Sequence, residues 1–290
     1  MPTYNRASTI GRAIASVQAQ TYTDWELVIV DDGSVDDTAA VVAAFGDKRI
    51  KYIYQQNAER SAARNNGIAH ASGNYICFID SDDYYFDNHL AAFYSFLHKH
   101  DFPVALVFGQ TCVEVDGVVT KEPFTPRITE KRTEFFILNI VGVPRTCIAR
   151  SILLEERFDP TISIGEDMVL WTRIMRKYPY YYIPDYTQAY VEHSGRSVSA
   201  SERPFAEHVK TLHYIFSQHP VSEIGPKVRG QALAYIYLRY AQYWQGQGKY
   251  FKMLGKLIKS FLASPKFRQR ERLYMAVSES FVYKLIKPKK

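Results

Sequence analysis

Apolar positions in the first hundred residues switch between two periods. Ile10, Ala13, Ile14 and Val17 fall at i, i+3, i+4 and i+7, the spacing of one buried helix face, with Ser8 placed to cap it. Leu27-Val28-Ile29-Val30 is a continuous apolar run ending in Asp31-Asp32-Gly33-Ser34, which predicts a strand buried on both faces and closed by a turn. The alternation continues with a helix capped by Asp36 and running through Phe45, a strand over 49–54 and a helix over 59–71 stopped by Gly73. A strand over 75–79 then runs into Asp80-Ser81-Asp82-Asp83, followed by a helix over 88–100 and a strand over 104–108. Strands alternating with helices predict an α/β fold, a mostly parallel sheet flanked by helices. Ligands of such sheets lie beyond the carboxyl ends of the strands, where both acidic clusters fall.

After about Pro204 the texture becomes helical. Leu233, Ile236, Tyr237, Tyr240 and Trp244 keep helical spacing. So do Phe251, Leu254, Ile258 and Phe261, with Lys252, Lys256 and Lys259 mainly on another face; Pro265 sets off a last helix. The predicted organisation is an α/β domain over 1–203 and an all-helical extension over 204–290.

Composition adds limits. The 290 residues are 47% hydrophobic, enough for a core without staples. Cys77, Cys112 and Cys147 form no close pair, which argues against a disulfide framework or structural zinc and suits packed thiols in a reducing compartment. No apolar run reaches the roughly 18–20 residues of a membrane span, and Met1 opens no signal peptide. The expected location is cytoplasmic, with membrane contact only from the surface. The formal net charge is +6, but Lys249 to Lys290 holds twelve Lys/Arg and two Glu, a net of +10, leaving −4 on residues 1–248. Such a tail suits acidic lipid headgroups or nucleic acid; it also reads as a solvated helical face.

Five features carry candidate chemistry. Asp80-Ser81-Asp82 places two carboxylates just past a strand, able to converge on Mg²⁺ or Mn²⁺, although acidic turns are common there. Asp32 could bond a nucleobase or ribose, or serve the turn alone. Arg60 and Arg64 lie one helical turn apart, and a guanidinium suits a diphosphate. Glu166-Asp167 opens a helical segment, as a cap or as a general base. His193, in the polar loop 193–199, could ligate metal or bond phosphate.

Together these features resemble a known family. Pro2-Thr3-Tyr4-Asn5-Arg6, Gln20-Thr21-Tyr22, Glu26 through Ser34, Ala63-Arg64-Asn65, Gly73-Asn74-Tyr75-Ile76 and Asp80-Ser81-Asp82-Asp83 occur in the order seen in family 2 glycosyltransferases. The resemblance covers about residues 1–200 and is strongest over 1–90. It implies a GT-A fold and an inverting transfer of sugar from a nucleotide-diphosphate donor, with a UDP-sugar favoured. It implies a donor site of Pro2, Tyr4, Asp32, Arg64, Asp80, Ser81 and Asp82. Tyr4 would stack near the base, Asp32 bond it, and Arg64 lie by the nucleotide. Asp82 with Asp80 would hold Mn²⁺ or Mg²⁺, His193 being a looser match to a late diphosphate-contacting segment that could also reach the metal. Asp167 maps onto the catalytic base. The expected acceptor is a glycan or lipid-linked hydroxyl in surface polysaccharide biosynthesis. The basic tail would meet an anionic surface at the inner face of the cell membrane, and no nucleic acid partner is expected.

One departure stands out. Relatives carry several apolar residues before Pro-Thr-Tyr-Asn, whereas Met1 here directly precedes Pro2. The expectation is a sequence clipped at its start, or late translation, with ladder bonds lost from a central strand. Two other readings compete. A nucleotidyltransferase would need a Gly-rich phosphate loop near the N-terminus, which is missing. A nucleotide-sugar-binding scaffold without turnover is the alternative that the short start favours and the retained Asp80, Asp82 and Asp167 oppose.

Overall fold

In the computed structural model, which describes residues 1–121, 123–127, 129, 131–193 and 203–267, the run at Leu27 forms the middle strand of a three-stranded parallel sheet. β1 (Pro2–Thr3), β2 (Leu27–Asp31) and β3 (Ile50–Tyr54) lie in that order, with Val30 opposite both Pro2 and Ile53. Every residue of β2 is buried, as expected of a parallel strand covered on both faces. α1 (Ile10–Gln18) buries Ile10, Ala13, Ile14 and Val17 against this sheet, matching the predicted stripe. Its N-cap is Thr9 in place of Ser8, and no side chain caps it. α2 (Thr38–Ala43) stops short of Phe45; the Asp36 carboxylate accepts from the Thr38 amide (3.1 Å) and hydroxyl (2.5 Å) ahead of it. α3 (Glu59–His70) covers the other face through Ala63 and Ile68.

The second sheet contains β4 (Tyr75–Cys77), β5 (Tyr84–Tyr85), β6 (Leu106–Val115), β7 (Val118–Lys121), β8 (Thr146–Ala149) and β9 (Tyr180–Glu192). Its order is β4-β8-β6-β9-β5, with β7 on β6. Parallel pairing occurs here only between β6 and β9; the other four pairings are antiparallel. One of the four comes from a local turn. Asp116-Gly117, both at positive φ (49° and 80°), close a two-residue hairpin that extends β6 well past Phe108 and returns as β7. α4 (His89–Lys99) packs Phe93 and Leu97 onto this sheet. A 3-10 turn (Val143–Arg145), α6 (Arg150–Glu155) and α7 (Glu166–Lys177) complete the unit Met1–Ile128 with Asn139–Arg196. All three cysteines are free thiols.

The second unit, Thr129–Leu138 with Ser197–Lys290, is helical wherever it has described secondary structure. α5 (Arg132–Leu138), drawn from inside the first 203 residues, joins α8 (Arg203–Gln218), α9 (Pro226–Gly246) and α10 (Tyr250–Ala263). α9 and α10 are tightly apposed, since a Cβ on Gly230 would lie 2.4 Å from the Ala263 carbonyl oxygen. α10 turns Met253, Leu257 and Ser260 inward, whereas Phe251, Leu254, Ile258 and Phe261 are exposed. The last helix expected after Pro265 lies mostly outside the described residues.

Candidate functional site

The predicted site residues gather at the carboxyl ends of β1, β2 and β4. In the turn after β2, the two adjacent acids divide. Asp31 is buried, and its carboxylate accepts from the Ser34 amide (2.8 Å) and the Tyr52 hydroxyl (2.5 Å). Asp32 Oδ1 accepts from Gln55 Nε2 (2.6 Å) and the Ala58 amide (2.9 Å), so it fastens the loop leading into α3. Gly33 sits at φ 89°, and a Cβ there would come within 3.0 Å of the Asn57 nitrogen. Asn5, itself at φ 50°, accepts from Val35 through Oδ1 (2.9 Å), while its amide donates to Ser34 Oγ (2.8 Å). Pro2 lies in the β1 ladder, and Tyr4 just beyond it is exposed.

Arg64 is the centre of the next cluster. It is buried on α3, donating from Nη1 to Glu166 Oε1 (2.7 Å) and from Nη2 to Asp80 Oδ1 (3.0 Å). Its guanidinium carbon lies 5.4 Å from the Phe158 ring centroid. Burial works against the charge, yet the two carboxylates hold the guanidinium above its ordinary pKa. The acidic turn after β4 spreads its side chains. Ser81 is buried, and Asp83 Oδ1 accepts from the Val191 amide (2.9 Å), tying the turn to β9. Asp82 Oδ2 meets His193 Nε2 at 3.1 Å and Arg6 Nη2 at 3.7 Å. Residues 194–199 of the predicted His193 loop lie outside the described residues.

α7 begins at Glu166, after Gly165 at φ 78°. Asp167 is half-buried, with Oδ1 accepting from the Met168 amide (2.7 Å). Burial first, then the neighbouring Glu166 charge, pushes its carboxyl up to about 7. That is the working range of a general base at neutral pH.

Two participants in the site, and one buried cation apart from it, were not singled out from sequence. Arg6 had a signal, since it closes the Pro2–Arg6 segment. Glu166 was half of an acidic pair read for its partner. Arg145 had none. It is buried, donates from Nε to the Gly109 carbonyl (2.6 Å) and lies 4.6 Å from the Phe124 ring centroid, with Nη2 lacking a hydrogen-bond partner. No ion pair with a carboxylate is made by Arg145 among the described residues, and burial pushes its pKa down to about 10.

No group of three or more His, Cys, Asp and Glu side chains converges among the described residues. Asp82 and His193 nevertheless put one carboxylate oxygen and one imidazole nitrogen side by side, a pair that suits Mn²⁺, or Mg²⁺ with more oxygen ligands supplied by a diphosphate and water.

Comparison with known proteins places this geometry. The chain matches the family described as Glycosyl transferase family 2 over residues 1–155. It is 32% identical over 190 residues to GalNAc(5)-diNAcBac-PP-undecaprenol beta-1,3-glucosyltransferase of Campylobacter jejuni, covering 62% of this chain and 60% of that protein. It is 33% identical over 178 residues to UDP-Glc:alpha-D-GlcNAc-diphosphoundecaprenol beta-1,3-glucosyltransferase WfgD of Escherichia coli, covering 61% and 68%. The chain therefore spans less than two thirds of the Campylobacter relative. Staphylococcus aureus TarS 1–349, solved in complex with UDP-GlcNAc, superposes with a TM-score of 0.63 at 18% identity over 97% of this chain and 87% of that one. The shared architecture is the GT-A fold. The match over more than half of the sequence makes the chain a member of glycosyl transferase family 2.

Proposed function

We propose that this chain is an inverting glycosyltransferase that moves a sugar from a nucleotide diphosphate, a UDP-sugar, to a hydroxyl of a lipid-linked glycan at a membrane surface. The observation that carries the reading is the Arg64 network. One buried guanidinium joins Asp80, after β4, to Glu166, beside Asp167 at the start of α7. Donor-side and acceptor-side groups are thereby locked into one rigid cluster at the strand ends.

Asp167 takes the proton from the acceptor hydroxyl, whose oxygen then attacks the anomeric carbon opposite the diphosphate. The bond to the diphosphate breaks as the new one forms, with inversion. Asp32 and Tyr4 hold the nucleoside end, with Pro2 and Ser81 shaping the cleft. Both Nη groups of Arg64 already serve carboxylates, so Arg64 is a positioning residue that keeps Asp80 and Glu166 in place. Asp82, with Asp80 nearby in the chain and His193 at 3.1 Å, would hold Mn²⁺ or Mg²⁺. Bound there, the ion would supply positive charge against the diphosphate leaving group. The names of the relatives support the acceptor class, and the TarS complex supports the donor class. No described helix is long and apolar enough to cross a membrane.

The test is a thermal-shift screen of nucleotide sugars with and without Mn²⁺, followed by turnover with the best ligand. A ligand at about 100 times its Kd adds about 2.7 kcal/mol of stability. Saturable donor binding without transfer or donor hydrolysis would reduce the protein to a binder and refute the activity.

A further inference from the structure

α10 presents three distinct arcs, as 14 residues at about 100° per residue allow. Met253, Leu257 and Ser260 form the buried arc; Ser260 Oγ donates to the Ala234 carbonyl of α9 (2.7 Å). Lys252, Lys256 and Lys259 form the second, their ammonium nitrogens lying 4.1 Å from the Trp244, 3.8 Å from the Tyr240 and 5.8 Å from the Tyr237 ring centroids of α9. The sequence pattern left open whether the apolar stripe or the lysines faced the protein, and it is the lysine arc that flanks the packed face. The third arc is apolar and outward. Phe251 is 82% exposed, Ile258 52% and Leu262 73%, with Leu254 beside them and no charged residue between. A contiguous apolar face held in water marks an interaction surface.

We infer that this outward face of α10 inserts into the interfacial region of an anionic lipid bilayer. Residues 249–267 carry five lysines and no carboxylate, which complements acidic headgroups. The face offers apolar side chains without hydrogen-bonding groups, suited to acyl chains. At about 1.5 Å per residue the helix is about 21 Å long, too short for a bilayer core of about 30 Å, so it lies flat. In that pose Phe251, Ile258 and Leu262 enter the acyl boundary while the flanking lysines stay at headgroup level. The inference rests on the reading that the acceptor is lipid-linked.

The experiment is flotation of the full chain with phosphatidylcholine vesicles containing a quarter phosphatidylglycerol. The native chain should bind and keep a bound fraction in 0.5 M NaCl, because apolar insertion is not screened as charge is. Phe251→Ser/Ile258→Ser/Leu262→Ser should lose at least tenfold in binding, with unchanged melting temperature and unchanged turnover on a water-soluble acceptor. If that triple variant misfolds, Phe251→Glu alone should still cut binding several-fold. Native-like binding by the folded variants would overturn the inference, as would no binding by the native chain at low salt. A lipid-free homodimer that the triple variant abolishes would assign the face to a second copy and overturn it too. Vesicle binding as expected, but without turnover on any nucleotide sugar, would sink the glycosyltransferase reading and leave this surface standing.

Discussion

Replacing Arg64 by Met removes one guanidinium and leaves two carboxylates facing each other across its former place. Arg64 is 6% exposed, and the side chains it bridges differ: Glu166 is 8% exposed and Asp80 28%. Stranding a buried partner of an ion pair costs about 3–5 kcal/mol. Asp80 can recover water, so the cost is essentially Glu166's and should not double. Met keeps an unbranched apolar stem beside Phe158, so little packing is lost. Native-state hydrogen exchange of the β2 amides reads the opening of this unit, and 3–5 kcal/mol corresponds to about 10²–10⁴-fold faster exchange. Adding Glu166→Gln removes the stranded charge and should restore most of the loss. Burial without a counter-ion disfavours the charged carboxylate of Glu166, so the deficit of the single variant should shrink in acid, where carboxylates are protonated. A rise in exchange below tenfold, or no recovery in the double variant, would refute the strut role of Arg64.

Asp167→Asn should keep donor affinity and lose transfer by about 10²–10⁴-fold, measured as single-turnover rate against donor Kd. Because the base acts deprotonated and its pKa in the free protein is raised to about 7, kcat/KM should fall about tenfold per pH unit below 7 and level off above; a flat profile from pH 5 to 9 would exclude it. Asp82→Ala should abolish Mn²⁺-dependent binding of UDP in calorimetry while the melting temperature holds, and His193→Ala should weaken it. Gly230→Ala, which sets a Cβ 2.4 Å from a backbone oxygen, should destabilise the α9–α10 pair by about 1–3 kcal/mol, seen as faster exchange in α10.

Local pattern made much of the first unit legible. The spacing of Ile10, Ala13, Ile14 and Val17 and the run Leu27–Val30 encode burial directly, since each periodicity admits one buried face or two. The strand over 75–79 was legible in position but not extent: its ladder ends at Cys77, because pairing depends on β8, some seventy residues away. The same distance effect hid the antiparallel character of the second sheet, where strand direction follows from hairpins and long returns.

For the site, the family resemblance of the ordered motifs nominated Asp32, Asp80, Asp82 and Asp167, which lie near strand ends or a helix start, and Arg64, which lies inside α3. Their partners were not legible. That Arg64 joins Asp80 to Glu166, that Asp82 meets His193 more than a hundred residues on, and that Arg145 is buried without an ion-pair partner among the described residues all depend on which side chains three dimensions bring within hydrogen-bond reach. α10 makes the same division plain. Its apolar positions run round most of the helix, with the lysines filling one side, and periodicity alone does not choose which of them is buried. Only packing against α9, where Gly230 permits close approach and Ser260 finds a carbonyl, selects Met253 and Leu257 for the inside and leaves Phe251, Ile258 and Leu262 to face outward.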